Sequence, residues 1–230
     1  MKKGGEESMG EQRIVILTGH YGSGKTSLAV ALALKKRALG KSVVVADLDI
    51  VNPYFRTTDC RAQLEAQGVR LIASQYAGSN VDLPALPKEL YALAEDMETD
   101  AVLDVGGDDR GAVALGRYVP AIREKGDYDM LFAANFFRPL TKTAEAAFAV
   151  LLEIEAACGL PVTGIVNNSN LGRETTPADV LSTLETAKQL SALSGRPIRY
   201  TAADRRLCPA LAGKIANLLP IQPQSMAIAQ

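Results

Sequence analysis

The stretch that most constrains this chain is residues 19–26, Gly-His-Tyr-Gly-Ser-Gly-Lys-Thr. It matches the phosphate-loop pattern of a glycine, four residues, then Gly-Lys-Ser/Thr. Gly22 and Gly24 can take backbone angles closed to other residues, so the chain can wrap tightly there. The N–H groups of such a loop converge on anionic oxygens. Gly22, Ser23, Gly24, Lys25, Thr26 and Ser27 are therefore the candidate phosphate-binding residues. Lys25 is positioned to reach β- and γ-phosphates, and the Thr26 hydroxyl to ligate Mg²⁺. The pattern demands a buried strand before it and a helix after it. Arg13-Ile14-Val15-Ile16-Leu17-Thr18 supplies the apolar, β-branched run, and residues 27–37 are rich in helix formers, with a basic last turn and Gly40 to end the helix. A chance glycine-rich turn would need neither neighbour.

The rest of the chain alternates in the same way. Residues 41–49 read as a second buried strand ending in Asp47-Leu48-Asp49. Its unbroken apolar character implies cover on both faces, as in a parallel sheet. Further strands are expected over 69–73, 100–105, 128–134, 162–166 and 197–201. Helices are expected over 59–67, 88–97, 112–124, 142–158, 177–193 and 209–218, with an irregular segment over 74–87. This alternation predicts a single-domain, doubly wound α/β fold, with a mostly parallel sheet of about seven strands and helices on both faces. Residues 1–12 read as a polar tail, 13–219 as the domain and 220–230 as a flexible tail. In such sheets ligands sit outside the carboxyl ends of the strands, where the polar clusters of this chain fall.

Asp104, at the end of the fourth strand, can hold a Mg²⁺-bound water. Gly107 can offer its N–H to a γ-phosphate, or the pair can be an ordinary Asp-Gly turn. Asp49 is the candidate for orienting an attacking water and Asp47 for the metal's surroundings. The alternative for both is a solvated strand-end acid. The catalytic candidates are thus Lys25, Asp49 and Asp104, and the metal candidates Thr26, Asp47, Asp49 and Asp104. Asn167 and Asn168 end the sixth strand. An amide offers donor and acceptor and can read an adenine edge, or it can close a turn. Arg205 and Arg206 follow the seventh strand, where a base or a further phosphate would lie. Arg56, Arg110 and Arg138 each follow a strand end, and any of them can bring a cation to a phosphoryl group or an acidic substrate. His20 is the single histidine and lies inside the loop.

Composition narrows the class. The net charge of −1 offers no nucleic-acid surface. No apolar run reaches bilayer length, and the N-terminus lacks a signal-peptide core. The expected location is cytoplasmic. Cys60, Cys158 and Cys208 have neither metal-ligand nor redox-motif spacing.

With these residues placed, the chain resembles the MinD/ParA/CobQ-like (SIMIBI-class) P-loop ATPases. The similar parts are the loop 19–26, Asp47-Leu48-Asp49, Asp104-Val105-Gly106-Gly107, and the Asn-containing loop after the sixth strand. The resemblance implies ATP and Mg²⁺ as cofactors. It assigns Lys25 and Thr26 to phosphate and metal, Asp49 to the first switch, Asp104 to the Walker B position, and Asn167 or Asn168 to adenine. It also implies a homodimer with nucleotide at the interface. Position 20 departs from the family pattern, because His20 stands where these proteins carry a second loop lysine.

Three functions follow. The first is an ATP-hydrolysing switch acting on an unknown protein partner. The second is an ATP-dependent ligase or small-molecule kinase working on an acidic substrate held near Tyr54-Phe55-Arg56 and Phe136-Phe137-Arg138. The third is a nucleotide-binding module without catalysis. Guanine is disfavoured against adenine because Asn167-Asn168-Ser169-Asn170 lacks the Asn-Lys-x-Asp arrangement.

Overall fold

The computed structural model describes residues 12–48, 57–73, 96, 98–106, 115–116 and 118–222. Within them an eight-stranded sheet runs in the order β3-β2-β4-β1-β5-β6-β7-β8, and every paired neighbour is parallel. The strands are β1 (Ile14–Thr18), β2 (Ser42–Leu48), β3 (Arg70–Ala73), β4 (Thr99–Val105), β5 (Tyr128–Ala134), β6 (Gly164–Asn167), β7 (Ile198–Asp204) and β8 (Leu218–Ile221). The helices are α1 (Lys25–Ala38), α2 (Arg61–Ala66), α3 (Val119–Lys125), α4 (Ala144–Cys158), α5 (Pro177–Ser182), α6 (Leu184–Ser194) and α7 (Cys208–Leu211). The α/β P-loop expectation holds.

Alternate residues of the central strands feed two cores. Val15 and Leu17 of β1, with Val43 and Val45 of β2, pack against Leu28, Leu32 and Ala33 of α1 and Leu64 of α2. Ile14 and Ile16, with Val44 and Ala46, face the other way towards α3, α4 and α6. This is why β1 is buried along its whole length. Each fully buried aliphatic side chain contributes about 1.5–3 kcal/mol relative to exposure.

Four expectations change. The sheet has eight strands. The last helix, expected over 209–218, is only the short α7, and β8 follows it into a stretch read as tail. Leu219 and Ile221 are buried there, and Pro220 is tolerated because β8 is an edge strand pairing only with β7. The helix expected over 177–193 is two helices. Thr183 separates them, its hydroxyl donating to the Val180 carbonyl and accepting from the Asn167 amide. The segment after β2 opens as a tight 3-10 turn over Thr57–Cys60 before α2. The irregular segment over 74–87 and the helix over 88–97 lie essentially outside the described residues, as do Asp49, Arg56, Gly107 and Arg110.

One charged pair sits at the opposite end of the sheet from the loop. Lys36, 2% exposed, donates to Asp100 Oδ2 at 2.6 Å and to the Gln12 carbonyl at 2.8 Å. Removing one member leaves the other buried without its counter-charge. Lys36→Ala should therefore lower unfolding free energy by about 3–5 kcal/mol in a denaturant titration, while the exposed Arg61→Ala, which breaks the Arg61–Glu65 pair, should cost under about 1 kcal/mol.

Candidate functional site

The phosphate loop joins the C-terminal end of β1 to α1, in the middle of the sheet. Two of its glycines are sterically required. A Cβ on Gly19 would lie 2.5 Å from the Ala133 carbonyl oxygen of β5, and one on Gly24 would lie 2.4 Å from Asn168 Nδ2. Both have positive φ, 139° and 82°. Ser23 N–H closes the loop onto the His20 carbonyl at 3.1 Å, and Leu28 N–H donates to the Gly24 carbonyl at 3.3 Å as α1 begins. The Lys25 ammonium curls back over the loop, donating to the carbonyls of Gly19 at 3.0 Å and His20 at 3.3 Å.

Beside the loop lies a cluster of hard oxygen ligands. The Thr26 hydroxyl donates to Asp104 Oδ2 at 2.8 Å, and the Thr57 hydroxyl donates to the same oxygen at 2.7 Å. Asp47 is the register partner of Asp104 across β2 and β4, so the two carboxylates stand side by side. Asp47 Oδ2 also accepts from Thr58 N–H at 3.3 Å. Both aspartates are fully buried. Among the described residues no three His, Cys, Asp or Glu side chains form a metal cage. A hydroxyl and one or two carboxylates beside a phosphate loop suit Mg²⁺ instead, which takes few protein ligands and fills its shell with water and phosphate oxygens. Thr26, Asp104 and Asp47 are the residues that would hold it.

The two asparagines part company. Asn168 is 1% exposed and donates from Nδ2 to the Ser23 carbonyl at 2.6 Å, bracing the loop from beneath. Asn167 points elsewhere. Its Nδ2 donates to Thr183 Oγ1 at 3.0 Å, and its Oδ1 accepts from the Ser169 hydroxyl at 2.7 Å and the Ser169 N–H at 3.2 Å. That amide ties β6 to the α5–α6 junction.

The arginine pair after β7 divides as well. Arg206 grips Asp204 through Nε and Nη2, at 2.8 and 2.5 Å. Burial alone would raise the Asp204 carboxyl, but these bonds and the guanidinium charge outweigh it and hold the group below its usual range, and Arg206 shifts up in turn. Arg205 is exposed. It lines a groove of about 490 Å³ between α1 and β8, together with Ser27, Lys35 and Tyr200. The Lys35 ammonium sits 4.7 Å from the centre of the Tyr200 ring and donates to its hydroxyl. Phe136 is buried in the core, so of the run 136–138 only half-buried Phe137 and exposed Arg138 reach the surface. Arg138 Nε donates to the Gly22 carbonyl at 3.2 Å.

Two contributors escaped the sequence reading. Thr57 carries no signal there, because nothing local couples it to Asp104 across β2 and β4. Asn135 reads as an ordinary loop residue. It is fully buried, and its amide oxygen accepts the N–H groups of Phe137 and Asn170, which fixes the loop beside Arg138.

Cys60 closes the turn that carries Thr57. Burial pushes its thiol up to about 11, with the charges of Asp59 and Asp104 adding to the effect. The thiolate is therefore scarce at neutral pH, and it is the thiolate that reacts. Iodoacetamide should label Cys60 slowly in the folded protein at pH 8, with a rate still rising above pH 10, whereas the same cysteine in urea should titrate near its ordinary value. Peptide mapping by mass spectrometry reads both.

No protein-family model matches the chain, and no curated protein does. Solved structures do resemble it. The Signal Recognition Particle 54 kDa protein from Aeropyrum pernix, solved in complex with GDP, is 16% identical with a TM-score of 0.50, covering 83% of this chain and 41% of that one. The cell division protein FtsY from Thermotoga maritima is 19% identical with a TM-score of 0.49, covering 83% and 61%. The chain thus spans less than two thirds of the length of these neighbours. At such identities the likeness is one of fold alone, the parallel α/β architecture of a P-loop NTPase.

Proposed function

We propose that this chain binds ATP with Mg²⁺ at residues 19–26 and hydrolyses it slowly, as a switch of the MinD/ParA-like kind whose output is a change of shape. One observation carries the reading: Thr26 of the phosphate loop and Thr57 of the segment after β2 meet on one oxygen of Asp104. A metal placed there would touch the loop, the fourth strand and the segment that follows Asp49. Loss of a γ-phosphate would then be felt by the segment that carries Thr57.

Each residue has a physical task. The loop N–H groups and Lys25 offset phosphate charge, and Thr26 and Asp104 orient the metal. Phosphoryl transfer needs alignment and charge stabilisation more than covalent help, so Asp49 would act by positioning water. The adenine preference rests on the loop after β6, where Asn170 stands in place of a base-reading aspartate. GDP in the Aeropyrum pernix neighbour makes guanine the direct competitor, and both nucleotides belong in the test.

Equilibrium binding of ATP and GTP, followed by phosphate release with and without Mg²⁺, tests the proposal. ATP should bind more tightly than GTP, and release should stop on chelation. Lys25→Ala should weaken ATP by about 30-fold or more, which corresponds to the 2 kcal/mol or greater loss seen when one member of a desolvated charge contact is truncated. Asp49→Ala should keep binding and lose release. Release that appears only with an added small acid would favour the ligase or kinase reading, and failure to bind either nucleotide would end the proposal.

A further inference from the structure

Position 20 holds a half-exposed histidine whose Nδ1 lies 3.0 Å from the Tyr21 carbonyl. Lys25 is the one lysine or arginine within residues 19–26. A second cation reaches it from β5. Arg138 lies across Gly22, its Nε donating to the Gly22 carbonyl at 3.2 Å and its guanidinium carbon 3.8 Å from where a Gly22 Cβ would stand.

The backbone that carries Arg138 is held rigidly. Its N–H donates to the Asn135 carbonyl at 3.0 Å, which also accepts the Thr141 hydroxyl at 2.6 Å. Thr141 N–H returns to the Arg138 carbonyl at 3.1 Å. Pro139 fixes the next residue, at the start of a short 3-10 turn. Phe136 N–H is tied to Ser169 Oγ at 2.9 Å, and Asn135 Nδ2 donates to the Asn170 carbonyl at 3.2 Å. The loops after β5 and β6 are thus one bonded unit, and that unit also touches the phosphate loop through Asn168.

The head group of this side chain is not spent on a counter-ion. Arg13, Arg61, Arg196, Arg199 and Arg206 each pair with a carboxylate. Arg138 has no such pair among the described residues, and Nε carries its one hydrogen bond there. Its two terminal nitrogens remain in solvent at the rim of a loop shaped for anionic oxygens. A guanidinium presents its donors as a planar fork that matches phosphoryl oxygens.

We propose that Arg138 is a catalytic residue, supplied in cis, whose terminal nitrogens bind the transferring phosphoryl group and stabilise the charge that develops on it during hydrolysis. This rests on the nucleotide reading given above. The bond broken is that between the γ-phosphorus and the oxygen bridging it to the β-phosphate. Water supplies the new oxygen, its proton passes to solvent or phosphate, and the diphosphate leaves with the electron pair. Arg138 stays protonated throughout.

The test measures the affinity of the full chain for ADP and for GDP, each with Mg²⁺, with and without aluminium fluoride, which mimics the phosphoryl group in flight. The wild type should tighten by about 10²-fold when fluoride is present. Arg138→Ala and Arg138→Gln should bind the diphosphate alone within about twofold of wild type and lose most of that tightening, while turnover falls by about 10³-fold. Millimolar guanidinium should restore part of the turnover of Arg138→Ala. Tightening in Arg138→Ala equal to wild type would overturn the proposal. So would equal loss of diphosphate binding in both variants, which would make Arg138 a brace for Gly22. A wild type that binds a diphosphate without tightening would sink this inference alone, and one that binds neither nucleotide would sink the nucleotide reading with it.

Discussion

The structure turns on a steric constraint: two points of the phosphate loop have no room for a side chain. Gly19 lies against a carbonyl of β5 and Gly24 against the amide of Asn168 after β6. The loop is therefore a wedge set among three strand ends. Because β1, β5 and β6 stand side by side in the sheet, the surfaces on which it rests are backbone and a buried amide. The carbonyl cannot retreat without disturbing strand pairing, and the amide cannot without giving up its bond to the Ser23 carbonyl.

On the other flank the chemistry is electrostatic. Asp47 and Asp104 are both buried, and two carboxylates in register repel unless protons, hydroxyls or cations stand between them. Thr26 and Thr57 supply hydroxyls to one of them, and Thr58 N–H serves the other. Such an arrangement suits a divalent cation at its margin, because added positive charge relieves a strain already built into the strand ends. Fold and proposed site thus share residues: the groups that would hold the metal also close the top of β2 against β4.

How far the sequence could be read depended on the range of each interaction. The loop, its flanking strand and helix, and the boundaries of β5 were legible because their signals are local: glycines in fixed spacing, an unbroken apolar run, helix formers with a basic last turn. Asp104 could be picked out because a strand-end acid is itself a pattern. Thr57 could not, since its partner lies on another strand. Asn167 and Asn168 look alike as neighbours in sequence. One residue of rotation along the chain sends the first to Thr183 and the second to Ser23, and only the packing of α5 and α6 decides which is which. The eighth strand was hidden by Pro220, a residue that argues against a strand everywhere except at an edge.

The position of β1 carries a further consequence, for how the molecule is assembled. β1 is the first strand among the described residues, yet both of its neighbours follow much later in sequence: it pairs with residues 101–104 of β4 and 128–132 of β5. A ribosome must therefore go on past β1 to residues 101–104 before that strand gains either partner, and the loop that follows it waits for the carbonyl of Ala133. Contacts so distant in sequence close slowly. The phosphate loop is thus made well before the strands that complete it, and no fragment ending before Asn168 contains all the surfaces that give the loop its form.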